Sequence, residues 1–210
     1  MSENDDKKSL LEKLKKELSD DDKMPLKNSN LVFGEGRADA KVCFIGEAPG
    51  FYEDREGRPF VGRAGKLLDK LINGVGWKRE EVYITNIIKR RPPENRDPTP
   101  DEIAAFSPYL SKQVEIINPK IIVPLGRFAM NYFLPTAKIS KDQGKLFWWG
   151  QRLIIPIYHP AAALRSTKVM EELEKSFRRI PAAVEKYDSF LKERDNAKDT
   201  KEEPEQKSLF

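Results

Sequence analysis

Four short apolar runs decide what this chain can fold into. They occupy residues 41–46, 81–85, 120–125 and 153–158, and each is rich in β-branched side chains and bounded by turn residues. Segments in which apolar residues recur at helical spacing lie between these runs. Strands that alternate with helices predict an α/β fold, in which helices cover both faces of a parallel sheet.

The helical segments carry recognisable start signals. The clearest begins at Thr99, which is predicted to be the N-cap, with Pro100 at the first helical position and Glu102 completing a capping box. Further helices are predicted over residues 65–72, 127–134 and 169–187. None of these segments repeats another, so we expect one domain rather than an array of structural repeats.

The formal net charge of +4 is distributed unevenly along the chain. Residues 1–23 carry a net charge of −2 and residues 192–210 a net charge of −1, which leaves +7 for residues 24–191. We therefore predict a charged, partly helical N-terminal segment, a folded domain and a flexible tail within these three ranges. Four leucines at helical spacing in the first segment predict a short amphipathic helix that packs on the core. A basic domain between near-neutral tails is typical of nucleic-acid-binding proteins.

The rarest residues exclude several kinds of site. One cysteine, Cys43, and one histidine, His159, exclude an intrachain disulfide, a multi-cysteine metal site within one chain and a histidine cluster. No apolar run approaches the roughly 20 residues of a membrane span. The polar N-terminus has no apolar signal-peptide region, so we expect a cytoplasmic protein without a membrane partner.

Ligands of parallel α/β sheets bind at the carboxyl ends of the strands, so the loops that follow the strands are the candidate site. Glu47 lies in a tight turn after the first strand, where a carboxylate orients or activates water or, alternatively, braces the loop. Asn86 ends the second strand, and its amide either reads the edge of a base or forms a turn. His159 follows the fourth strand, where a neutral imidazole can donate a hydrogen bond to an oxygen that gains negative charge or, alternatively, has a structural role.

Other loop residues suit a nucleic-acid substrate. Phe60 precedes a glycine-rich turn and is a candidate base-stacking platform, with core packing as the alternative. The basic stretch at 89–96 and the helix start at 126–127 offer donors to phosphates, the alternative being a solvated loop. Glu53 and Asp54 make the first loop acidic, which suits an oxocarbenium-like sugar better than a phosphate.

These motifs, in this order, resemble family 4 of the uracil-DNA glycosylases. The resemblance covers roughly residues 31–187. It is carried by VFGEG at 32–36, GEAPG at 46–50, GRPFVGRAGKLLD at 57–69, YITNIIKRRPPENRDPTPDEI at 83–103, SPYL at 107–110, PKIIVPLGR at 119–127 and YHPAAALR at 158–165. It implies a three-layer α/β/α sandwich with a central four-stranded parallel sheet. It also implies an enzyme that flips uracil out of DNA and hydrolyses its N-glycosidic bond, which leaves an abasic site and initiates base excision repair.

The resemblance also assigns roles to residues of this sequence. The catalytic residues would be Glu47 as the acid that places the water, Asp54 as a second candidate for that role, and His159 as the donor to the uracil oxygen. The uracil pocket would be formed by Gly46, Ala48, Phe60 as the stacking ring, Asn86 as the base-reading amide, and Glu53 as the group that excludes the methyl of thymine. The DNA contacts would be Arg63, Lys89, Arg91, Gly126, Arg127, Pro160, Ala161, Leu164 and Arg165.

The sequence departs from the family in its cysteines. Family 4 members typically hold an iron–sulfur cluster through four cysteines, but Arg90 and Phe106 stand at two of those positions, and residues 1–42 contain no cysteine. Cys43 falls inside the first strand and is interpreted as a core residue. We therefore predict no cofactor and no metal, and we expect packing and ion pairs to replace the cluster, for example between Arg90 and the acidic run at 20–22.

Two further absences from the sequence bear on the mechanism. A branch of the superfamily that traps uracil-DNA covalently uses an extra histidine in the basic loop, and residues 89–96 contain none, so we predict turnover by water. No lysine is evidently placed as a Schiff-base nucleophile, which predicts a monofunctional glycosylase. A glycosylase for another deaminated base such as hypoxanthine, and a non-catalytic DNA-binding or clamp-associated protein on the same fold, remain the alternative functions.

The last five residues, QKSLF at 206–210, resemble sliding-clamp-binding peptides. Gln206, Leu209 and Phe210 would fill a pocket on the clamp, and the charged tail would tether the enzyme to it. A chance apolar end is the alternative interpretation. From the resemblance we expect a monomer that acts on the nucleoid DNA of a prokaryote.

Overall fold

A six-stranded sheet forms the centre of the protein in a computed structural model, which describes residues 3–199 and the side chains of residues 3–196. The strands are β1 (Glu35–Gly36), β2 (Val42–Gly46), β3 (Tyr83–Asn86), β4 (Ile121–Pro124), β5 (Phe147–Trp149) and β6 (Arg152–Ile154). Their order across the sheet is β1-β3-β2-β4-β6-β5. The four central strands are parallel, which confirms the predicted sheet, whereas β1 and β5 pair antiparallel at the two edges and were not predicted.

The helices cover both faces of this sheet. They are α1 (Glu3–Asp20), α2 (Phe51–Glu56), α3 (Arg63–Gly74), α4 (Pro100–Ile117), α5 (Gly126–Phe133), α6 (Ile139–Asp142), α7 (Pro160–Ala163), α8 (Thr167–Phe177) and α9 (Ile180–Asp199). Short 3₁₀ turns occur at Arg79–Glu81 and Pro93–Asn95. The predicted capping box of α4 is confirmed, because the Thr99 hydroxyl accepts a hydrogen bond from the Glu102 amide and the Glu102 carboxylate accepts one from the Thr99 amide.

The predicted helix over residues 169–187 is wrong in one respect: two helices, α8 and α9, cover this region. Pro181 lacks an amide proton and cannot donate to the Phe177 carbonyl oxygen as a continuous helix would require, so α8 ends at Phe177 and a new helix starts with this proline in its first turn. Helix α9 then continues to Asp199, so the segment 192–199 is helical where the sequence predicted a flexible tail.

The alternation of side chains along β2 shows how the layers are built. Val42 and Phe44 face a hydrophobic cluster formed with α3, α8 and α9, while Cys43 and Ile45 face a second cluster formed with α1, α4 and α5. All five residues of β2 are buried. A strand buried on both faces is expected at the centre of a parallel sheet, and the result is the predicted three-layer α/β/α sandwich.

The N-terminal helix belongs to one of these layers. Leu11, Leu14 and Leu18 are buried against the second cluster, and Leu10 remains half exposed. Helix α1 packs on α4, as the leucine spacing predicted.

The predicted clamp-binding segment lies outside the described residues. Gln206, Leu209 and Phe210, the predicted clamp-binding side chains, belong to the range 200–210, which the structure does not describe. Between residues 3 and 199, no helix combines the length and the apolarity needed to cross a membrane.

Candidate active site

A cavity of about 410 Å³ opens at the carboxyl ends of the parallel strands, within the range of about 300–1,000 Å³ common for small-molecule sites. It lies where the loops after β2 and β3 meet the loop that follows β6. Eight predicted site residues line it together: Glu47, Ala48, Glu53, Phe60, Asn86, His159, Ala161 and Arg165. Residues more than 100 positions apart in sequence therefore form one site, as the strand-end argument predicted.

Phe60 forms one wall of the cavity in an unusual backbone conformation. Its φ is +52°, in the left-handed region that side chains other than glycine seldom adopt. A Cβ at position 65 would lie 1.9 Å from the Phe60 carbonyl oxygen, so glycine is required at Gly65. The Phe60 ring is 6% exposed and lies 5.6 Å from the His159 ring, centroid to centroid. Phe60 is thus both packed in the core and present at the site.

Arg79 holds this strained loop in place. Its guanidinium donates to the carbonyl oxygens of Pro59 and Phe60. Glu35 and Asp69 in turn bind the guanidinium as ion-pair partners. Arg79 was not predicted as a site residue, because it lies 19 residues from Phe60 in a segment that carries no motif of its own.

Gly46 allows the amide of Asn86 and the ring of Phe60 to meet. A Cβ at position 46 would lie 2.4 Å from Asn86 Oδ1 and 2.5 Å from Phe60 Cζ. Asn86 is 1% exposed, and its Oδ1 atom has no hydrogen-bond partner among the described residues. An unpaired buried acceptor is costly, so a fixed acceptor at a cavity wall points to a ligand that donates to it.

Lys89 lies behind Asn86, and its predicted contact with DNA is wrong. The side chain is completely buried, and Nζ donates to Thr85 Oγ1 at 2.6 Å, to the Asn86 carbonyl oxygen at 2.8 Å and to Gln113 Oε1 at 2.6 Å. Burial lowers the pKa of Lys89 to about 7. Lys89 therefore fixes the end of β3, which carries the Asn86 amide, and does not reach a phosphate.

His159 is the N-cap of the short helix α7, and this geometry fixes its tautomer. Its Nδ1 accepts a hydrogen bond from the Ala161 amide at 3.1 Å, so the ring proton resides on Nε2. Burial lowers the pKa of His159 to about 4. At neutral pH His159 is therefore uncharged, with its ring proton on Nε2, and it lines the cavity.

Glu47 is the carboxylate at the cavity whose pKa is most displaced. Burial raises the pKa of Glu47 to about 7, with a further increase from the charge of Asp97 and an opposing effect from Arg127. A carboxylate with a pKa near neutrality is suited to accept a proton from water.

Two carboxylates that the sequence placed in the first loop, Glu53 and Asp54, lie in α2 and have different surroundings. Glu53 lines the cavity, but its Oε1 accepts hydrogen bonds from the amides of Val61 and Gly62 at 2.9 and 2.8 Å. Asp54 does not line the cavity, because its carboxylate accepts from the Asn30 amide at 2.6 Å and faces a separate surface depression. The structure therefore contradicts Asp54 as the second candidate for placing the water.

The predicted DNA contacts divide into exposed and buried residues. Arg63, Arg127, Leu164 and Arg165 are exposed, and Ala161 is half-buried. Two predictions fail in their stated form. The Gly126 amide is already bonded to the Ile157 carbonyl oxygen at 2.8 Å, so it is not free for a phosphate. Pro160 is buried, so its ring packs inside the protein instead of facing the DNA.

The structure adds Asn95 and Arg96 to the cavity lining. Asn95 has a φ of +54°, and its Oδ1 accepts a hydrogen bond from Arg91 Nε at 2.7 Å. Arg96 is paired with Glu102. The whole stretch at 89–96 was predicted to bind phosphates, because nothing in the local pattern separates the side chains that turn inward from those that turn outward.

Comparison with known proteins agrees with this geometry. The family model of the uracil DNA glycosylase superfamily matches residues 33–182. The chain belongs to this superfamily.

Its relatives within the superfamily are similar over most of their length. The chain is 49% identical over 165 residues to the type-4 uracil-DNA glycosylase of Saccharolobus solfataricus, covering 74% of this chain and 76% of that protein. It is 47% identical over 182 residues to the type-4 enzyme of Sulfurisphaera tokodaii, covering 81% and 83%. It is 47% identical over 161 residues to the type-4 enzyme of Archaeoglobus fulgidus, covering 72% and 81%.

The residues at the family's cluster positions do not fit an iron–sulfur cluster. The Phe106 side chain is completely buried in the core, and Arg90 donates to the Ser29 carbonyl oxygen, so neither is an iron ligand. Burial raises the pKa of Cys43 to about 12, which disfavours the thiolate that iron requires. Among the residues with described side chains, no group of three or more His, Cys, Asp or Glu residues is arranged to hold a metal ion.

Packing and hydrogen bonds hold the segment around these positions. Leu18 and Met24 pack in the same cluster as Phe106, and Tyr109 donates to Asp21 Oδ2 at 2.8 Å. The predicted ion pair between Arg90 and the acidic run at 20–22 is wrong, because the guanidinium is directed to a backbone carbonyl instead.

Proposed function

We propose that this protein is a monofunctional uracil-DNA glycosylase, which hydrolyses the N-glycosidic bond of a uracil flipped out of DNA and leaves an abasic site. The observation that carries the proposal is the unpaired Asn86 Oδ1 at a cavity wall formed with the rings of Phe60 and His159. Uracil offers a flat face to Phe60 and an N–H donor beside a carbonyl oxygen to the Asn86 amide. One amide can accept from that N–H and donate to that oxygen.

His159 is proposed to stabilise the departing base. When the bond between uracil N1 and the sugar C1′ breaks, the electron pair leaves with the base, and negative charge spreads onto its oxygens. The Nε2 proton of a neutral imidazole donates to one of these oxygens, because Nδ1 is already occupied by the Ala161 amide. Donors that are fixed before the reaction stabilise developing charge without a reorganisation cost.

Glu47 is proposed to activate the water. The sugar gains positive charge as the base leaves, and the ionised Glu47 carboxylate stabilises that charge electrostatically. A water oxygen then bonds to C1′, and its proton passes to Glu47. The uracil anion takes a proton from solvent after release, so all atoms and charges are accounted for.

Glu53 is proposed to exclude thymine. Two backbone amides of the next loop hold its carboxylate at the cavity. A group fixed in this way cannot withdraw from a methyl substituent on the base, and the excluded methyl distinguishes thymine from uracil. Gly46 and Ala48 complete the pocket, since they leave room for the base beside Asn86.

Incubation of the purified protein with oligonucleotides that contain uracil, hypoxanthine or a thymine mismatch, followed by alkaline cleavage of abasic sites, tests the proposal. Cleavage at uracil alone is expected. Cleavage at hypoxanthine would identify a glycosylase for that base, and no cleavage would leave a non-catalytic DNA-binding protein. Asn86→Ala should lose uracil excision, while Leu10→Ala, a change at a half-exposed leucine of α1, should not.

We further propose that the protein is a monomer without iron and that it works on nucleoid DNA in the cytoplasm of a prokaryote. We also propose that residues 206–210 bind a sliding clamp. The support is the sequence of that segment and the shortage of cysteine. Deletion of residues 206–210 should abolish binding to the clamp and spare activity on short oligonucleotides. Unchanged clamp affinity would contradict the clamp proposal. Stoichiometric iron in the purified protein would contradict the proposal that the protein holds no iron.

A further inference from the structure

Two aromatic side chains at the start of α2 are unusually exposed. Phe51 is 53% exposed and Tyr52 is 50% exposed. Their rings make an edge-to-face contact, with centroids 5.4 Å apart and an interplanar angle of 83°. Large exposed apolar side chains that adjoin one another mark an interaction surface more often than isolated ones do.

Positive charge flanks this aromatic pair. The guanidinium of Arg91 lies 5.2 Å from the centre of the Phe51 ring, and that of Arg55 lies 5.2 Å from the centre of the Tyr52 ring. Arg55 is well exposed, with Glu56 as an ion-pair partner at 3.5 Å. Aromatic rings interleaved with arginines are suited to a chain of bases and phosphates.

The aromatic pair adjoins the mouth of the active-site cavity. Gly50, the N-cap of α2, lines that cavity directly before Phe51. Arg91, which contacts Phe51, also donates to Asn95, and Asn95 lines the cavity as well. A DNA strand whose uracil occupies the cavity therefore passes close to these rings.

We infer that Phe51 and Tyr52 form a stacking platform for an unpaired base that neighbours the flipped uracil in single-stranded DNA. This inference rests on the proposed glycosylase function and adds to it the form of the substrate. Bases in a duplex stack on one another and pair with the opposite strand, so their faces are not free. In a single strand the neighbouring base is free to leave its stack and lie against an aromatic ring.

The inference is tested with Phe51→Ala and Tyr52→Ala, each compared with the unmodified protein on single-stranded and duplex oligonucleotides of the same sequence. Affinity is measured by fluorescence anisotropy with a 2′-fluoro uracil nucleotide, whose electron-withdrawing fluorine resists cleavage. Single-strand affinity should fall about 5- to 150-fold, as expected for the loss of one stacked base, and duplex affinity should change less than about twofold. With the cleavable substrate, KM on the single strand should rise and kcat should stay unchanged.

Three controls separate the possible causes. Phe51→Trp keeps an aromatic face and should retain single-strand affinity, whereas Phe51→Leu keeps apolar area without a ring and should lose it. Leu10→Ala removes a similarly exposed apolar side chain from α1 and should change neither substrate. Thermal melting of each variant checks that the fold is intact.

The outcomes distinguish this inference from the proposed function. If the unmodified protein cleaves uracil DNA but Phe51→Ala and Tyr52→Ala bind both substrates normally, or lose both equally, the platform is overturned and the glycosylase stands. If the unmodified protein cleaves no uracil substrate, the proposed function itself is overturned.

Discussion

The ionisation of Glu47 should control the rate of uracil excision around neutral pH. Burial raises the pKa of this carboxyl from 4.5 to about 7, and only the ionised form accepts a proton from water. With a pKa of about 7, roughly one tenth of the protein carries ionised Glu47 at pH 6 and roughly nine tenths at pH 8. The chemical rate should therefore rise about ninefold between these two pH values and then level off.

Two neighbouring charges allow the midpoint of this profile to be moved in opposite directions. Asp97 raises the pKa of Glu47 and Arg127 lowers it. Asp97→Asn should therefore shift the midpoint to lower pH, and Arg127→Gln should shift it to higher pH. Because Asp97 is largely exposed, its charge is screened by water and salt, so its shift should be small and should shrink further at high ionic strength.

Single-turnover kinetics with excess enzyme on a labelled uracil oligonucleotide provide the assay, because they report the chemical step without product release. Saturating enzyme removes any effect of Arg127→Gln on DNA affinity. Glu47→Gln should lower the rate about 10²- to 10⁴-fold and abolish the rise between pH 6 and 8. The reasoning is refuted if Glu47→Gln keeps the same rise, or if the two charge variants shift the midpoint in the same direction.

Three further predictions concern stability and geometry. In denaturant titrations, Glu47→Gln should raise the free energy of unfolding by about 1–3 kcal/mol at pH 8, because the ionised carboxylate is disfavoured in the folded protein above its raised pKa of about 7. At pH 4 the variant should have no such effect, because the carboxyl is protonated in both the folded and the unfolded state below its ordinary pKa of 4.5. Gly46→Ala should lower kcat about 100-fold or more, because the added Cβ displaces the Phe60 ring or the Asn86 amide. The control Gly74→Ala, where a Cβ meets no atom within 4 Å, should leave kcat unchanged, and equal kcat values for the two variants would contradict the prediction. Lys89→Met should lower the free energy of unfolding by about 1–3 kcal/mol at pH 9, because Gln113 Oε1 and the Asn86 carbonyl oxygen lose their hydrogen bonds from Lys89 Nζ. The loss should be smaller at pH 6, where the buried ammonium of the unmodified protein is itself unfavourable, and a greater loss at pH 6 would refute this.

Much of the fold was accessible from the sequence, because the central strands are buried on both faces. The run at 41–46 is almost entirely apolar for this reason. The start of α4 was predictable because the hydrogen bonds of its N-cap, Thr99, are made with a residue only three positions away. The edge strands β1 and β5 were missed because two or three residues are too few to show the alternation of a strand, even though all three residues of β5 are aromatic. The division at Arg178 was missed because the helical spacing of apolar residues continues across it.

The residues that meet at the candidate site were predictable where they directly follow a parallel strand. Glu47, Asn86 and His159 each follow a parallel strand, so their convergence follows from topology alone. Side-chain direction within a loop is set by tertiary contacts, and there the predictions failed. Lys89 turns inward to Gln113, a residue 24 positions away, and Asp54 turns away to the Asn30 amide. Nothing in the local sequence distinguishes these directions.

The inward direction of Lys89 and Arg90 limits how strongly salt should weaken DNA binding. Neither residue offers a free cation to a phosphate, since Lys89 is buried and Arg90 is bound to a backbone carbonyl. Among the predicted contacts, Arg63, Arg127 and Arg165 are exposed arginines and Arg91 is half-buried. Three to four phosphate contacts correspond to a slope of about −2.7 to −3.6 in log affinity against log salt concentration, or a loss of about 40- to 150-fold between 50 and 200 mM salt on duplex DNA. A protein with a basic sequence would thus bind its substrate with only moderate dependence on counterions.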